Sequence, residues 1–279
     1  MPLTRRRFLS APAAALLPAQ PLPGSTLYVR FEHRNRISWG RLEEGRIQPL
    51  AGVPWEGVRP AGRPVPSSSV RLLHPCAPSK ILAVGRNYQS HLGSAPAPKR
   101  PEFFYKPPSC LQHPGEPVLL PPDAADVHYE GELVILIGRR CRRASAAEAA
   151  AAIFGYTCGN DVSERQWQNG PDRDLQWWRA KGADTFGPVG PAIAAGLDPR
   201  RGLLLETLLN GAVVQKQSTA DLIFDCVEIV RFASQYVTLE PGDVIFTGTP
   251  GSTRAMRPGD VVEVRIEGIG ALRNPVRAG

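Results

Sequence analysis

The stretch Val127-His-Tyr-Glu-Gly-Glu-Leu-Val-Ile-Leu-Ile-Gly138 constrains this chain more than any other. It opens polar and closes on an apolar, β-branched run, the pattern of a strand entering a core. Side chains on a strand alternate between faces, so Glu130 and Glu132 project from one face with Gly131 between them. Two adjacent carboxylates repel, and one takes up a proton unless a cation lies between them. A hard divalent ion such as Mg2+, which prefers oxygen ligands, answers that requirement. A solvent-facing pair at the start of a strand is the plainer alternative, and these residues alone leave both open.

The rest of the chain fits a β-rich fold. Its 279 residues give room for one large domain and a small one. With 29 prolines and 27 glycines, turns are frequent and strands short. At 42% apolar and 21% charged residues, the composition is that of a soluble globular protein, and no apolar run is long enough for a membrane span. The net charge of +7 includes Arg5, Arg6 and Arg7; the other basic residues are scattered among acids. No basic stripe with interleaved aromatics is present, which argues against nucleic-acid binding, whereas a mild positive charge suits a small anionic substrate. The five cysteines contain no CxxC pair, which argues against a zinc site. They read as small buried apolar residues, with at least one free.

Residues 1–20 stand apart. Thr4-Arg-Arg-Arg-Phe-Leu-Ser10 precedes the short apolar Ala11-Pro-Ala-Ala-Ala-Leu-Leu17, the order of a signal peptide. The basic motif is similar to a twin-arginine export signal, which predicts a periplasmic protein exported after folding. A basic tail on a cytoplasmic enzyme is the alternative. Residues 21–75 read as a small N-terminal β-rich domain and linker. Within them, 27–31, 36–40 and 46–50 alternate as a short antiparallel meander, and 52–69 is rich in Pro, Gly and Ser.

The chemistry lies in residues 76–279. The apolar Ser79–Gly85 predicts a buried strand, followed at once by Arg86-Asn-Tyr-Gln-Ser-His91, polar and aromatic groups where a pocket is often built. After a loop over 92–102, Phe103–Lys106 reads as another strand. Ser145-Ala-Ala-Glu148 is a capping box opening an alanine-rich helix that ends near Phe154. The strand Gly155–Gly159 then delivers Asp161, either a third carboxylate ligand or, with Ser163, an N-cap for helical turns over 162–168. Lys181 sits beside aromatics at the start of a Gly/Pro-rich loop. Asn210-Gly211 predicts a type I′ hairpin turn within 203–217. Ser218–Asp221 opens a helix with apolar Leu222, Ile223, Val227, Val230 and Phe232. Leu239-Glu-Pro-Gly-Asp243 and Met256-Arg-Pro-Gly-Asp260 are near repeats, each a tight turn before a β-rich run. Between them, the N–H groups of Thr247-Gly-Thr-Pro-Gly251 can approach an anion.

Together these stretches resemble the fumarylacetoacetate hydrolase (FAH) family, in its C-terminal catalytic domain type, over about residues 78–275. The matching motifs are Val84–His91, Phe104–Lys106, Tyr129–Leu133 with Ile137-Gly138, Gly155-Tyr-Thr, Asn160-Asp161, Lys181 with Asp184–Pro191, Asn210-Gly211, Pro241–Asp243 and Thr247–Pro250. The resemblance implies a mostly β (α+β) fold, a distorted β-sandwich or β-roll with a few helices. It implies Mg2+ or Mn2+ held by Glu130, Glu132 and Asp161, and catalytic roles for His91 and Lys181. It places Arg86, Tyr88, Lys106, Gln168 and Thr249 around the substrate, and it implies a homodimer. The first functional expectation is a hydrolase of carbon–carbon bonds in 2,4-diketo acids (fumarylacetoacetate- or acylpyruvate-like), part of aromatic catabolism. The sequence departs from the family at one point. Where the family pairs its histidine with a glutamate three residues later, this chain has Ser94. That raises two alternatives: an isomerase or decarboxylase of 2-hydroxymuconate-like or oxaloacetate-like acids, or a binding protein without turnover.

Overall fold

The apolar run after Glu132 is buried on both faces. In the computed structural model of the protein, which describes residues 21–279, Gly131–Ile137 is an interior strand of a twelve-stranded mixed sheet. Ile153–Asn160 pairs antiparallel along one edge of it and Val244–Phe246 along the other. Leu133, Ile135 and Ile137 join one apolar cluster, and Val134 and Leu136 join another. This double burial explains a continuous apolar run where a one-sided sheet would alternate. The structure is mostly β, with five α-helices among the described residues, as expected.

The N-terminal meander forms as read, with strands Thr26–His33, Arg36–Glu43 and Arg46–Leu50. Thr26–His33 also pairs with Gly187–Ala195, so these strands extend the central sheet. The 52–69 stretch is not a bare linker. Pro54–Glu56 is a 3-10 turn, and Trp55 packs edge-on against Trp39, with ring centroids 5.0 Å apart. The proposed export segment, residues 1–20, lies outside the described residues.

A second, five-stranded sheet runs in the order Ala212–Ser218, Leu204–Leu209, Val261–Ile266, Gly270–Ala278, Val118–Leu120. Asn210 and Gly211 both have positive φ, as a type I′ turn requires. The two sheets meet at Gly131, where a Cβ would lie 1.9 Å from the Thr207 hydroxyl. Glycine is what lets the sheets close directly between Glu130 and Glu132.

Two helix boundaries differ from the sequence reading. The alanine-rich helix spans Ala146–Ala152 with its capping box intact, but the chain turns into strand at Ile153 rather than near Phe154. The later helix begins at Cys226, capped by Asp225, and Thr219–Asp221 is only a 3-10 turn. The physical reason is Asn87. Its carbonyl accepts the Ile223 N–H at 2.9 Å, and its side chain bonds both the N–H and the carbonyl of Phe224. Those backbone groups are therefore not available to a helix.

The near repeats build the same turn twice. The Asp243 carboxylate accepts the Glu240 N–H, and the Asp260 carboxylate accepts the Arg257 N–H. Asp243 is buried and also holds Ser79 and Lys80 across the start of strand Ile81–Gly85. Removing it leaves several donors without their shared buried acceptor. Asp243→Ala is expected to lower unfolding free energy by about 3 kcal/mol, and Asp260→Ala by about 1 kcal/mol or less. Urea unfolding of both variants checks this; equal losses would refute the distinction.

Candidate metal and substrate site

Glu130, Glu132 and Asp161 are buried, and each offers an oxygen within 4.8 Å of the others. Neighbouring strands bring them together. Glu130 immediately precedes Gly131–Ile137, and Asp161 immediately follows Ile153–Asn160. The Asp161 N–H donates to the Glu130 carbonyl at 2.8 Å, and Asn160 Oδ1 accepts the Glu130 N–H at 2.9 Å. Asp161 caps no helix. The turn Arg165–Asn169 is capped instead by Glu164, whose carboxylate accepts the Trp167 N–H, so Asp161 is free for the pocket.

Three basic side chains answer two of the three acids. Lys181 Nζ donates to Glu130 at 2.6 Å and Asp161 at 2.8 Å. Arg165 reaches the other Glu130 oxygen at 2.6 Å. Lys106 reaches the other Asp161 oxygen at 2.6 Å. Burial pushes the Glu130 carboxyl up, but Lys181 and Arg165 outweigh it and hold it at about 2. Burial disfavours the Lys181 ammonium, yet Asp161 and Glu130 raise its pKa above the ordinary value. Among the described residues, Glu132 has no cation of its own and accepts only the Gly248 N–H, at 2.7 Å. Burial, then Asp161 and Glu130, raise its carboxyl well above the usual range. The anion that the Thr247–Gly251 loop approaches is thus the protein's own carboxylate. An all-oxygen donor set with one uncompensated member fits a hard divalent ion such as Mg2+ or Mn2+.

These acids lie in a small pocket of about 60 Å³ whose wall includes Arg86, His91, Gln168, Lys181 and Thr249. Two larger recesses lie elsewhere among the described residues, and neither is lined by three acids. His91 sits on the short helix Gln89–Leu92, with its Nδ1 2.6 Å from the Gly251 carbonyl. A carbonyl only accepts, so Nδ1 carries the hydrogen and Nε2 is the neutral ring's acceptor. Glu102, which follows the loop after His91, is exposed on strand Glu102–Lys106. Gln168 uses its amide oxygen on Arg165, leaving its nitrogen for the pocket. The Thr249 hydroxyl donates to the Gly131 carbonyl.

Two expected wall residues are elsewhere. Lys106 lies beneath the site, with its three donors directed to Asp161, the Phe186 carbonyl and the Lys181 carbonyl. It has none left for substrate and instead fixes Asp161 and the Lys181 backbone. Tyr88 is fully buried behind the wall, bridged to Leu222, and its hydroxyl has no partner among the described residues. The chain leaves strand Ile81–Gly85 through Arg86 at a positive φ, which separates Arg86 from Tyr88.

Other residues went unnoticed in the sequence. Arg165 is one; its only signal was its place in a polar turn beside Asp161. Its guanidinium donates to Thr253 Oγ1 at 2.8 Å, Thr253 is 2.9 Å from His128 Nδ1, and His128 Nε2 is 2.9 Å from Asp126. With a neutral His128 ring the relay runs one way: Arg165 donates to Thr253, Thr253 to His128 Nδ1, and His128 Nε2 to Asp126, whose carboxylate can only accept. Trp177 and Phe104 form an edge-to-face pair on the wall, with centroids 5.4 Å apart.

The family model "Fumarylacetoacetate (FAA) hydrolase C-terminal" matches residues 80–277, and "Rv2993c-like, N-terminal" matches residues 27–75. The chain belongs to the FAH family. It is 41% identical to the 5-carboxymethyl-2-hydroxymuconate delta-isomerase structure from Mycobacterium smegmatis, with a TM-score of 0.84 over 91% of this chain and 100% of that one. It is 37% identical to the Bos taurus oxaloacetate tautomerase FAHD2A, mitochondrial, over 76% of this chain and 71% of that protein. The maleylpyruvate hydrolase structure from Sphingobium sp. SYK-6, in complex with manganese(II) and pyruvate, is 29% identical, with a TM-score of 0.73 over 91% of this chain and 99% of that one.

Lys106 and Arg86 separate support from surface. Lys106→Met leaves Asp161 and two carbonyls short of a donor and is expected to destabilise by on the order of 3 kcal/mol. Arg86→Met changes an exposed wall residue and is expected to stay within about 0.5 kcal/mol of wild type. Chemical denaturation of the two variants reads the difference.

Proposed function

We propose that the chain is a divalent-metal-dependent isomerase of small 2-oxo dicarboxylic acids, moving a proton within an oxaloacetate-like or 2-hydroxymuconate-like substrate. The observation that carries this reading is the partner of His91. The Gly251 carbonyl orients the ring and fixes its tautomer. A neutral carbonyl gives an imidazolium less support than a carboxylate does, so the ring suits taking one proton and returning it. Ser94 supplies no carboxylate for a stronger base. The relatives named as an isomerase and a tautomerase support the same class.

A divalent ion held by Glu130, Glu132 and Asp161 would supply Lewis-acid charge for the oxygens of a 2-oxo acid. Lys181 keeps two of those carboxylates ionised and in place. Arg86 and Arg165 give the pocket positive charge for substrate carboxylates, and Gln168 offers its amide nitrogen. Phe104 and Trp177 cover one side and limit water. His91 Nε2 accepts the proton from carbon and returns it at the second position.

Hydrolysis of a carbon–carbon bond, the first expectation from the sequence, is the second reading. The same centre serves it, and the maleylpyruvate hydrolase relative favours it. The reading also carries a homodimer, which sedimentation velocity tests, and twin-arginine export of residues 1–20, which a reporter fusion tests.

The deciding experiment follows ultraviolet enol absorbance of oxaloacetate and 2-hydroxymuconate-type acids with Mg2+ or Mn2+ and with chelator, and identifies products by mass. Isomerised product lost with chelator is expected, as is a fall of roughly 100-fold or more in His91→Gln. Cleavage to two acids by the wild type would make hydrolysis the answer, and no turnover with metal bound would favour the binding-protein reading. In a parallel thermal melt, Mn2+ is expected to raise the wild-type midpoint and leave that of Glu132→Gln unmoved.

A further inference from the structure

Arg165 grips Glu130 with one arm. Its Nη2 donates to Glu130 Oε1 at 2.6 Å, and its Nη1 turns away to Gln168 Oε1, also at 2.6 Å. A guanidinium beside a carboxylate often forms a fork instead, two parallel N–H bonds to the two oxygens. Here the second Glu130 oxygen goes to Lys181. Gln168 alone does not hold the arms apart, because it lies on the same short turn, Arg165–Asn169, and moves with it. Thr253 comes from a different part of the chain, and its Oγ1 accepts from the same Nη2 at 2.8 Å.

The backbone around Thr253 is anchored to both partners. Met256 donates its N–H to the Val127 carbonyl at 2.7 Å, and His128 bridges to Ala255. Val127 and His128 pair antiparallel with Glu164 and Ser163, and the Arg165 N–H donates to the Asp126 carbonyl at 2.9 Å. Segments 126–128, 163–165 and 253–256 are thus tied together before any side chain of the relay is counted. Behind Thr253 Oγ1 stands His128 Nδ1 at 2.9 Å, and Asp126 holds the other ring nitrogen at 2.9 Å. A threonine hydroxyl has staggered positions to choose from, and the contact with His128 selects one. A guanidinium can only donate, so the Thr253 oxygen accepts from Arg165 whatever form the ring takes. The hold on Arg165 therefore does not depend on the charge of His128.

We infer that Thr253, backed by His128 and Asp126, is a positioning residue that keeps Arg165 from closing a fork on Glu130 and so keeps Glu130 open to a divalent cation. This rests on the reading of Glu130, Glu132 and Asp161 as a metal site. Partners one step out from a ligating carboxylate set its orientation and its affinity for the ion. A forked Arg165 would occupy both Glu130 oxygens, compete with the cation for them, and let go of Gln168. The amide of Gln168 would then lose the contact that turns its nitrogen toward the pocket. Thr253 acts on the site only through Arg165.

Two readouts on the full chain test this. The first is the crystal structure of the metal-free protein. Thr253→Val keeps the shape of the side chain and removes the hydroxyl, and in it Arg165 is expected to give two nitrogens to Glu130 and to leave Gln168. The second is Mn2+ affinity, measured by electron paramagnetic resonance without substrate. Thr253→Val is expected to bind Mn2+ about tenfold more weakly than wild type. Thr253→Ser, which restores the hydroxyl, is expected to recover both the one-armed grip and the affinity. Thr253 is only partly buried, and Thr253→Ala repeats the test if the valine does not fold. A one-armed Arg165 in the variant lacking the hydroxyl, unchanged Mn2+ affinity, or an equal loss in Thr253→Ser would each overturn the role. If the wild type bound no Mn2+, the metal reading would fall, and the position of Arg165 in the two structures would alone decide whether Thr253 holds it.

Discussion

Everything in the candidate site depends on keeping three carboxylates out of water within a few ångströms of one another. Desolvating an ion costs several kcal/mol even after relaxation, and like charges add to that. The fold meets this with Lys181, whose Nζ bonds Glu130 and Asp161 together, and with Arg165 and Lys106 on their outer oxygens. Glu132 is left over. The balance is therefore close but unfinished, and a hard cation is the natural completion. A site fully neutralised by its own side chains would have little use for a metal; one with no lysine would have difficulty staying folded without it.

That balance sets the tolerances of the scaffold. Lys181 is useful only where its backbone is fixed, and its carbonyl is held by Lys106. Glu132 needs the Gly248 N–H, and the Gly248 loop is tied to the second sheet by Gln215, which bonds Thr249 and the Pro250 carbonyl while also accepting the Gly131 N–H. The second sheet approaches that closely because residue 131 has no side chain. The glycine between the two glutamates thus does more than separate them. It admits the layer that holds the loop that holds Glu132.

The sequence revealed the parts of this arrangement that repeat with a period. Strand alternation put Glu130 and Glu132 on one face, and the apolar run marked an interior strand. The Asn-Gly hairpin turn and the capping box at Ser145 are short-range signals, and both formed where read. Long-range choices were not legible. Nothing local told that Glu164 would cap the helical turn and free Asp161. Nothing local told that Asn87 would take the backbone of residues 223–224 and delay a helix to Cys226. Lys106 and Tyr88 belong to recognisable motifs, yet motif membership does not distinguish a residue on the pocket wall from one supporting it. Arg165 had no pattern to announce it, because its meaning comes from Glu130, thirty-five residues away in sequence.

Ser94, at the position of the family's glutamate, is where sequence and structure together say more than either alone. A histidine's partner does two separable things: it orients the ring, and it supports the charge the ring acquires. From the sequence, losing the glutamate looked like losing both. The structure returns the first through the Gly251 carbonyl, in the same loop that supplies Gly248 to Glu132. The second is not returned by any group on that carbonyl. Bond cleavage by water needs a base whose protonated form persists long enough for a nucleophile to form and attack. A proton shift needs the ring protonated only in passing. The site orients its histidine through a neutral carbonyl in a pocket it shares with the three acids, and under the proposed reading the Lys181-centred balance around those acids serves a proton shift.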